Sequence, residues 1–534
     1  MKKHNFSAGP CILPKVVMQK AAQAVVELDN SGLSLIEISH RSPAFIEIMD
    51  KATSLVIELL GLEGKGYTAM FLQGGASQQF LNVANNFLET KAGYANTGTW
   101  STKAIKEAQA AFPSWRDKTA KERSVILQKW ARLIEANADD LAKIMTIEQG
   151  KPLAEAKGEI LMGVTYIDFY AEEGKRVYGD IIPDPMPDRR IVVIKQPVGV
   201  VGAITPWNFP STMITRKCAP ALAVGCTVVI KPASQTPYSA LALGALAKEA
   251  GFPDGVINII TGSASAIGKE LTENPLVRKI SFTGSTEVGK VLLQQSATTV
   301  KKVSMELGGH APFVVFDDAD LDEAVTGAMQ SKFRNSGQTC ICANRIFVHE
   351  KVYDEFLNKF IAEVNKIKVG NGLEEGIVSG PLIDQPSLMK VMDQVKDAVN
   401  QGAKIAVGGD VHSLGGNFFQ PTVLSDVTNK AKITYEETFG PVAPLYKFSS
   451  DEEVIKMAND TPYGLASYFY SRDIGRIWRV AEALEYGMVG VNTGLTTKAE
   501  IPFGGVKESG LGREGSKYGL DDYLNIKYIS MAGI

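Results

Sequence analysis

Cysteine is scarce in this sequence: five in 534 residues, at Cys11, Cys218, Cys226, Cys340 and Cys342. An odd, scattered set forms no disulfide framework and fits a reducing compartment. Cys340 and Cys342 do not stand at the spacing of a zinc knuckle, and no metal site is expected. Long apolar runs are missing too; none approaches the ~18 residues needed to cross a bilayer. The opening MKKHNFSAGPCILPKVV carries lysines, but Pro10, Pro14 and Lys15 break the core a signal peptide needs. A cytoplasmic protein with no membrane partner is expected. Charge of one sign is also lacking: the net charge is −3 and the pI near 6.1, which leaves no electrostatic footprint for nucleic acid. There is no internal repeat and no low-complexity linker.

What is present is an alternation. The length suggests roughly three to four domains at ~100–200 residues each, and 45% apolar residues suffice for large cores. From Pro197 onward, VGVVGAITP, CTVVIKP, VINIITG and KISFTG read as short buried strands, with YSALALGALAKEAG and SAIGKELTEN as helices between them. That is the signature of βαβ units and a parallel sheet. A second alternating stretch begins near APFVVFDDADLDEAV and predicts another α/β domain after Gly309. YGDIIPDPMPDRRIVVIKQ reads as a projecting hairpin, with a partner strand in the final YLNIKYISMAGI.

Several fragments bear chemistry. RNSGQTCICANR holds Cys340 after a small polar turn that leaves room for a substrate, with Cys342 two residues on. A nucleophilic cysteine needs a stabilised thiolate, access, and donors for the oxyanion it creates. Taken alone, a Cys-X-Cys is more often structural. TPWNFP puts Asn208 in a loop after a strand, where its amide can donate to an oxyanion or serve only as a turn residue. SMELGGH puts Glu306 at the end of an apolar run, as a base with a raised pKa or as a solvated strand end. FTGSTEVGK ends a strand and opens a helix with Gly284 and Gly289, where backbone N–H groups can approach a phosphate. The spacing nearly matches a P-loop, but Val291 stands where the Mg²⁺-binding hydroxyl must be, so an NTPase is excluded.

TPWNFP, VVIKPASQTP, SFTGSTEVGK, MELGGH, NSGQTC, EETFGP and PFGGVKESGLGREG occur in the order seen in the aldehyde dehydrogenase superfamily, over about residues 104–534. Within it the chain most resembles the succinate-semialdehyde dehydrogenases, through TPWNFPSTMITRKCAPAL, KFRNSGQTCICANR and GREGSKYGLDDYLNIKY. The resemblance implies the aldehyde dehydrogenase α/β fold. It places a Rossmann-like NAD(P)-binding domain at 107–308 with an oligomerisation hairpin at about 178–196, a catalytic domain at 309–508, and a C-terminal oligomerisation segment at 509–534. It implies a homodimer or homotetramer. Cys340 would attack the aldehyde, Asn208 and the Cys340 N–H would hold the oxyanion, and Glu306 would activate water against the thioester. Lys231 and Glu437 would hold the riboses, Gly284 and Ser285 the pyrophosphate, and Phe439 would lie beside the nicotinamide.

NAD-specific relatives often carry Glu three residues after that lysine; here Ser234 stands there and does not repel a 2′-phosphate. NADP or NAD is therefore the expected cofactor. Arg216 and Arg334 are the candidates for the far carboxylate of an aldehyde acid, since arginine offers a bidentate fork. Each has an alternative as a structural or solvated arginine. Thr497 is the third anchor by resemblance, with Lys498 beside it, although this loop departs from the Ser-containing form. Cys342 is a redox-switch candidate that would pair with Cys340, or else a packed small residue.

Residues 1–106 resemble another family, the phosphoserine aminotransferases, through NFSAGP, LSLIEISHRS, FLQGGASQQF and NTGTWS. That resemblance gives Gly75, Ala76 and Ser77 to a PLP phosphate, Trp100 to stacking on the ring, and His40 and Arg41 to substrate anions. The Schiff-base lysine lies later in that family and nothing here continues it. The segment is thus an incomplete PLP-transferase-like piece. Two other readings stay open: a cofactor-binding but inactive chimera, or a PLP-dependent aminotransferase.

Overall fold

The computed structural model describes residues 15–29, 31–39, 42–64, 69 and 99–533, and it divides into two units, Met1–Glu89 and Thr90–Ile534. In the first unit, Lys15–Val26 and Pro43–Leu59 are helical. Ser42 caps the second, its hydroxyl accepting from the Phe45 N–H, with Pro43 at the first helical position. Neither helix buries a residue, and Val16, Met18, Val26, Leu59 and Leu60 are exposed. The roles expected for His40, Arg41, Gly75, Ala76 and Ser77 fall outside the described residues.

The expected boundary is residue 106; the two units divide at 89/90, and one helix, Thr99–Arg116, runs through residue 106. Its apolar positions Ala104, Ile105 and Ala108 are buried in one cluster with Val200 and Val229 of the sheet behind. A face spaced at i, i+1 and i+4 seals a sheet surface, so the helix belongs to the second unit along its whole length. Trp100 lies on its first turn, 38% exposed, with the Lys103 ammonium 5.5 Å from its ring.

Among the described residues, the second unit holds three sheets. The first two strands are β1 (Asp180–Ile182) and β2 (Arg189–Pro197). Then come β3 (Val200–Ile204), β4 (Thr227–Lys231), β5 (Ile257–Ile259), β6 (Val277–Thr283) and β7 (Lys302–Glu306). After these run β8 (Ala311–Val315), β9 (Ala343–His349), β10 (Lys404–Val407), β11 (Thr422–Ser425), β12 (Val442–Phe448), β13 (Ala466–Tyr470) and β14 (Met488–Val491). The chain closes with β15 (Gly510–Leu511) and β16 (Leu524–Ala532).

One sheet has the order β15-β7-β6-β3-β4-β5, parallel except for β15. Its central β3 and β4 are buried on both faces, as their unbroken apolar runs require. A second sheet has the order β10-β11-β12-β9-β8-β13-β14, parallel except at the β10 edge. The predicted hairpin is β1 against β2, and β16 lies antiparallel along β2 from Leu524 opposite Pro197 to Ala532 opposite Arg189. Among the described residues no helix is long and apolar enough to cross a membrane, and no cluster of His, Cys, Asp and Glu could hold a metal ion.

Candidate active site

Three loops at the carboxyl ends of strands in the first sheet converge, the place where open α/β sheets bind ligands. Asn208 follows β3, Gly284 and Ser285 follow β6, and Glu306 ends β7. The turn before β9 brings Cys340 to them. That turn is strained: Asn335 and Ser336 take φ of 50° and 55°, a left-handed conformation that side chains resist. Its bonds over-determine it. The Asn335 N–H donates to Glu155 at 2.8 Å, the Gln149 amide donates to the Asn335 side chain at 3.1 Å, and Ser336 donates to the Gly380 carbonyl at 3.0 Å. Across from it, Gly309 packs so closely that a Cβ would lie 2.2 Å from the Cys340 carbonyl oxygen.

Cys340 borders two cavities. The first, of about 580 Å³, is lined by Arg216, Arg334, Thr497, Phe209 and Phe503 among others. The structure thus gathers all three residues expected to hold a substrate acid around the expected nucleophile. The two arginines differ. Arg216 is buried, ion-paired with Glu514 at 2.8 Å and stacked 3.7 Å from the Phe503 ring. Arg334 is partly exposed, lies 5.0 Å from the Phe209 ring, and has no ion pair among the described residues. The second cavity, of about 810 Å³, is lined by Asn208, Gly284, Ser285, Glu437, Phe439 and Trp207 among others. Among the described residues, Cys340 is the one that lines both.

The second cavity suits a flat, anionic ligand. Phe439 is held at φ 53° and meets Trp207 edge to face at 5.5 Å. Ser285 caps the helix Thr286–Ala297, so N–H groups at that helix start face the cavity mouth. Glu437 accepts from the Gly309 N–H at 3.0 Å, and burial pushes its carboxyl up to about 7. Lys231 ends β4, buried, with its pKa lowered by burial and no carboxylate partner among the described residues. Ser234, three residues on, is exposed, and neither Lys231 nor Ser234 borders this cavity.

Burial also pushes the Cys340 thiol up, to about 12; Arg216 pulls against this, while Glu437 and Glu306 add to it. The Asn208 amide donates to the Gln338 carbonyl at 3.0 Å, which leaves its second N–H unspent. Glu306 is buried with neither carboxyl oxygen hydrogen-bonded. Gly504 permits this placement, because a Cβ there would stand 2.9 Å from Glu306 Oε1. Burial, then neighbouring Glu514, raises Glu306 well above the usual carboxylate range. Burial works on Glu514 as well, but Lys217 and Arg216 prevail and hold it below that range. Two neighbouring carboxyls are thereby pushed apart, one kept as an anion and one as a proton carrier.

Cys342 lines neither cavity. Its sulfur is fully buried in the core and donates to the Lys332 carbonyl at 3.4 Å. Lys151, Glu159, Asn335 and Glu514 shape the site without having been legible as site residues. Glu514 and Asn335 had a signal, their places in the GLGREG and NSGQTC stretches; Lys151 and Glu159 had none.

The comparisons with known proteins agree with this geometry. The model of the aldehyde dehydrogenase family matches residues 76–529, starting ahead of the expected residue 104. The chain is 61% identical over 426 residues to the succinate-semialdehyde dehydrogenase (NADP(+)) GabD of Escherichia coli, covering 80% of this chain and 88% of that one. It is 60% identical over 432 residues to a glutarate-semialdehyde dehydrogenase of Pseudomonas aeruginosa, covering 81% and 89%. The crystal structure of succinate-semialdehyde dehydrogenase from Burkholderia pseudomallei superimposes with a TM-score of 0.81 at 60% identity, covering 82% of this chain and 90% of that one. A family match over residues 76–529 and a matching fold at 60% identity leave one assignment: the chain belongs to the aldehyde dehydrogenase family.

Proposed function

We propose that this protein oxidises succinate semialdehyde to succinate with NADP or NAD. The observation that carries the reading is the shared cavity: Arg334, Arg216 and Thr497 surround the space that ends at Cys340. An aldehyde acid in that space meets the sulfur with one end and a cationic wall with the other. Cys340 attacks the aldehyde carbon, its proton passes to Glu306 and on to solvent, which returns Glu306 to the carboxylate, and the oxygen is received by the Asn208 amide and the Cys340 N–H. The dinucleotide, when bound, supplies the hydride acceptor. Glu306, set in an apolar pocket that raises its basicity, then takes a proton from the water that cleaves the thioester. The exposed serine at 234 and the buried Lys231 support acceptance of a 2′-phosphate.

The relatives carry names for a four-carbon and a five-carbon aldehyde acid at nearly equal identity. The deciding experiment is NADPH formation with purified full-length protein, comparing succinate and glutarate semialdehydes. A higher kcat/KM on succinate semialdehyde supports the reading; preference for the longer acid moves it to the second relative's reaction. We read the front unit as a truncated aminotransferase-like segment that supplies no PLP chemistry, and the body as a cytoplasmic homo-oligomer associating through β2 and β16. The exposure of Ile526, Tyr528 and Met531 on β16 supports that association.

A further inference from the structure

Lys151 is buried to 2% at the start of the helix Leu153–Glu173 and far in sequence from every catalytic candidate. Its ammonium makes two bonds. One goes to Glu159 at 2.6 Å, and the other to the main-chain oxygen of Asn208 at 2.7 Å. Glu159 uses its second oxygen to accept from the N–H groups of Ser211 and Thr212, at 2.9 and 3.1 Å. These two groups thus grip the Pro206–Ser211 loop at Asn208 and at its Ser211 end. The Phe209 ring between them lies 4.1 Å from the ammonium. Asn335 also donates to the Asn208 oxygen, at 3.0 Å, and to the Gln338 carbonyl, at 3.3 Å, which the Asn208 side chain itself bonds. The oxyanion donor and the nucleophile's turn are therefore fixed to each other through one peptide oxygen, to which Lys151 also donates.

We infer that Lys151, braced by Glu159, is a positioning residue that aims the Asn208 amide at the developing oxyanion. This rests on the proposed role of Asn208. A buried ion pair adds little stability in itself, so the pair is better explained by what it holds. Small errors in the placement of an oxyanion donor cost rate rather than substrate binding.

The test is Lys151→Met, with kcat, KM for succinate semialdehyde, NADP⁺ affinity and Tm measured on the full chain. The expected result is kcat lowered about 10- to 100-fold with KM and NADP⁺ affinity within about threefold. A second variant, Lys151→Met with Glu159→Gln, keeps an acceptor for Ser211 and Thr212 while removing the stranded charge. It should recover Tm but not kcat, and it carries the test if the single variant fails to fold. A near-normal kcat in either variant, or recovery of kcat together with Tm, would show that Lys151 serves the fold alone. Asn208→Ala is run in parallel: an undiminished kcat there would overturn the oxyanion reading itself, whatever Lys151 does.

Discussion

Burial works against the sulfur at position 340. With its thiol pushed up to about 12, the thiolate fraction rises with pH across the whole working range. The rate of alkylation by iodoacetamide should therefore climb about tenfold per pH unit through pH 9 without levelling; a plateau below pH 8 would contradict this. Cys340→Ala should abolish NADPH formation while NADP⁺ binding persists, and Cys342→Ala should keep turnover, because its sulfur faces the core. Reversible peroxide inactivation that is unchanged in Cys342→Ser would remove the switch reading. The arginines should separate. Arg334→Ala, losing a charge-assisted contact, should raise KM for succinate semialdehyde ~10–150-fold but leave an uncharged aldehyde little affected. Arg216→Ala removes one of the two cations on buried Glu514 and should also cost about 3–5 kcal/mol of stability, read as a lowered Tm. Sequence alone brought these arginines together because a motif sets each close to the site. It did not distinguish them, because Glu514 stands 298 positions from Arg216 and the pairing exists only in the fold.

The helix Thr99–Arg116 decides where the dehydrogenase body starts. Ile105 is fully buried against the first sheet. Ile105→Ala should cost about 2–5 kcal/mol, seen as a fall in Tm, whereas Trp100→Ala at its exposed neighbour should stay within ~0.5 kcal/mol. Equal, small effects would place the helix outside the core. The strands from β3 to β6 were readable because buried parallel strands are written as unbroken β-branched runs between helical patterns. The hairpin and its β16 partner were readable for a related reason, two extended runs about a proline-rich turn. The helix boundary was not: Trp100 and Ser101 sit in a stretch that reads, from sequence alone, like another family's motif, and only packing shows which body claims them. Lys151 and Glu159 were invisible for a third reason. A lysine and a glutamate eight residues apart look like any solvated pair until the loop after β3 closes over them.

At the scale of the molecule, the front unit contrasts with the body. Its two described helices bury no residue, while the body packs apolar clusters against both large sheets. Limited proteolysis is expected to remove the front unit first and leave a resistant body containing Thr99–Arg116. One cooperative unfolding transition with equal protease resistance throughout would instead mark an integrated domain. In the body, the two chambers share a single residue among those described, Cys340, the proposed nucleophile. An acid and a dinucleotide would thus each have a room of its own, the two meeting at Cys340. A compound that fills the acid's room is accordingly expected to slow turnover without competing with the dinucleotide, as initial-rate inhibition patterns would show.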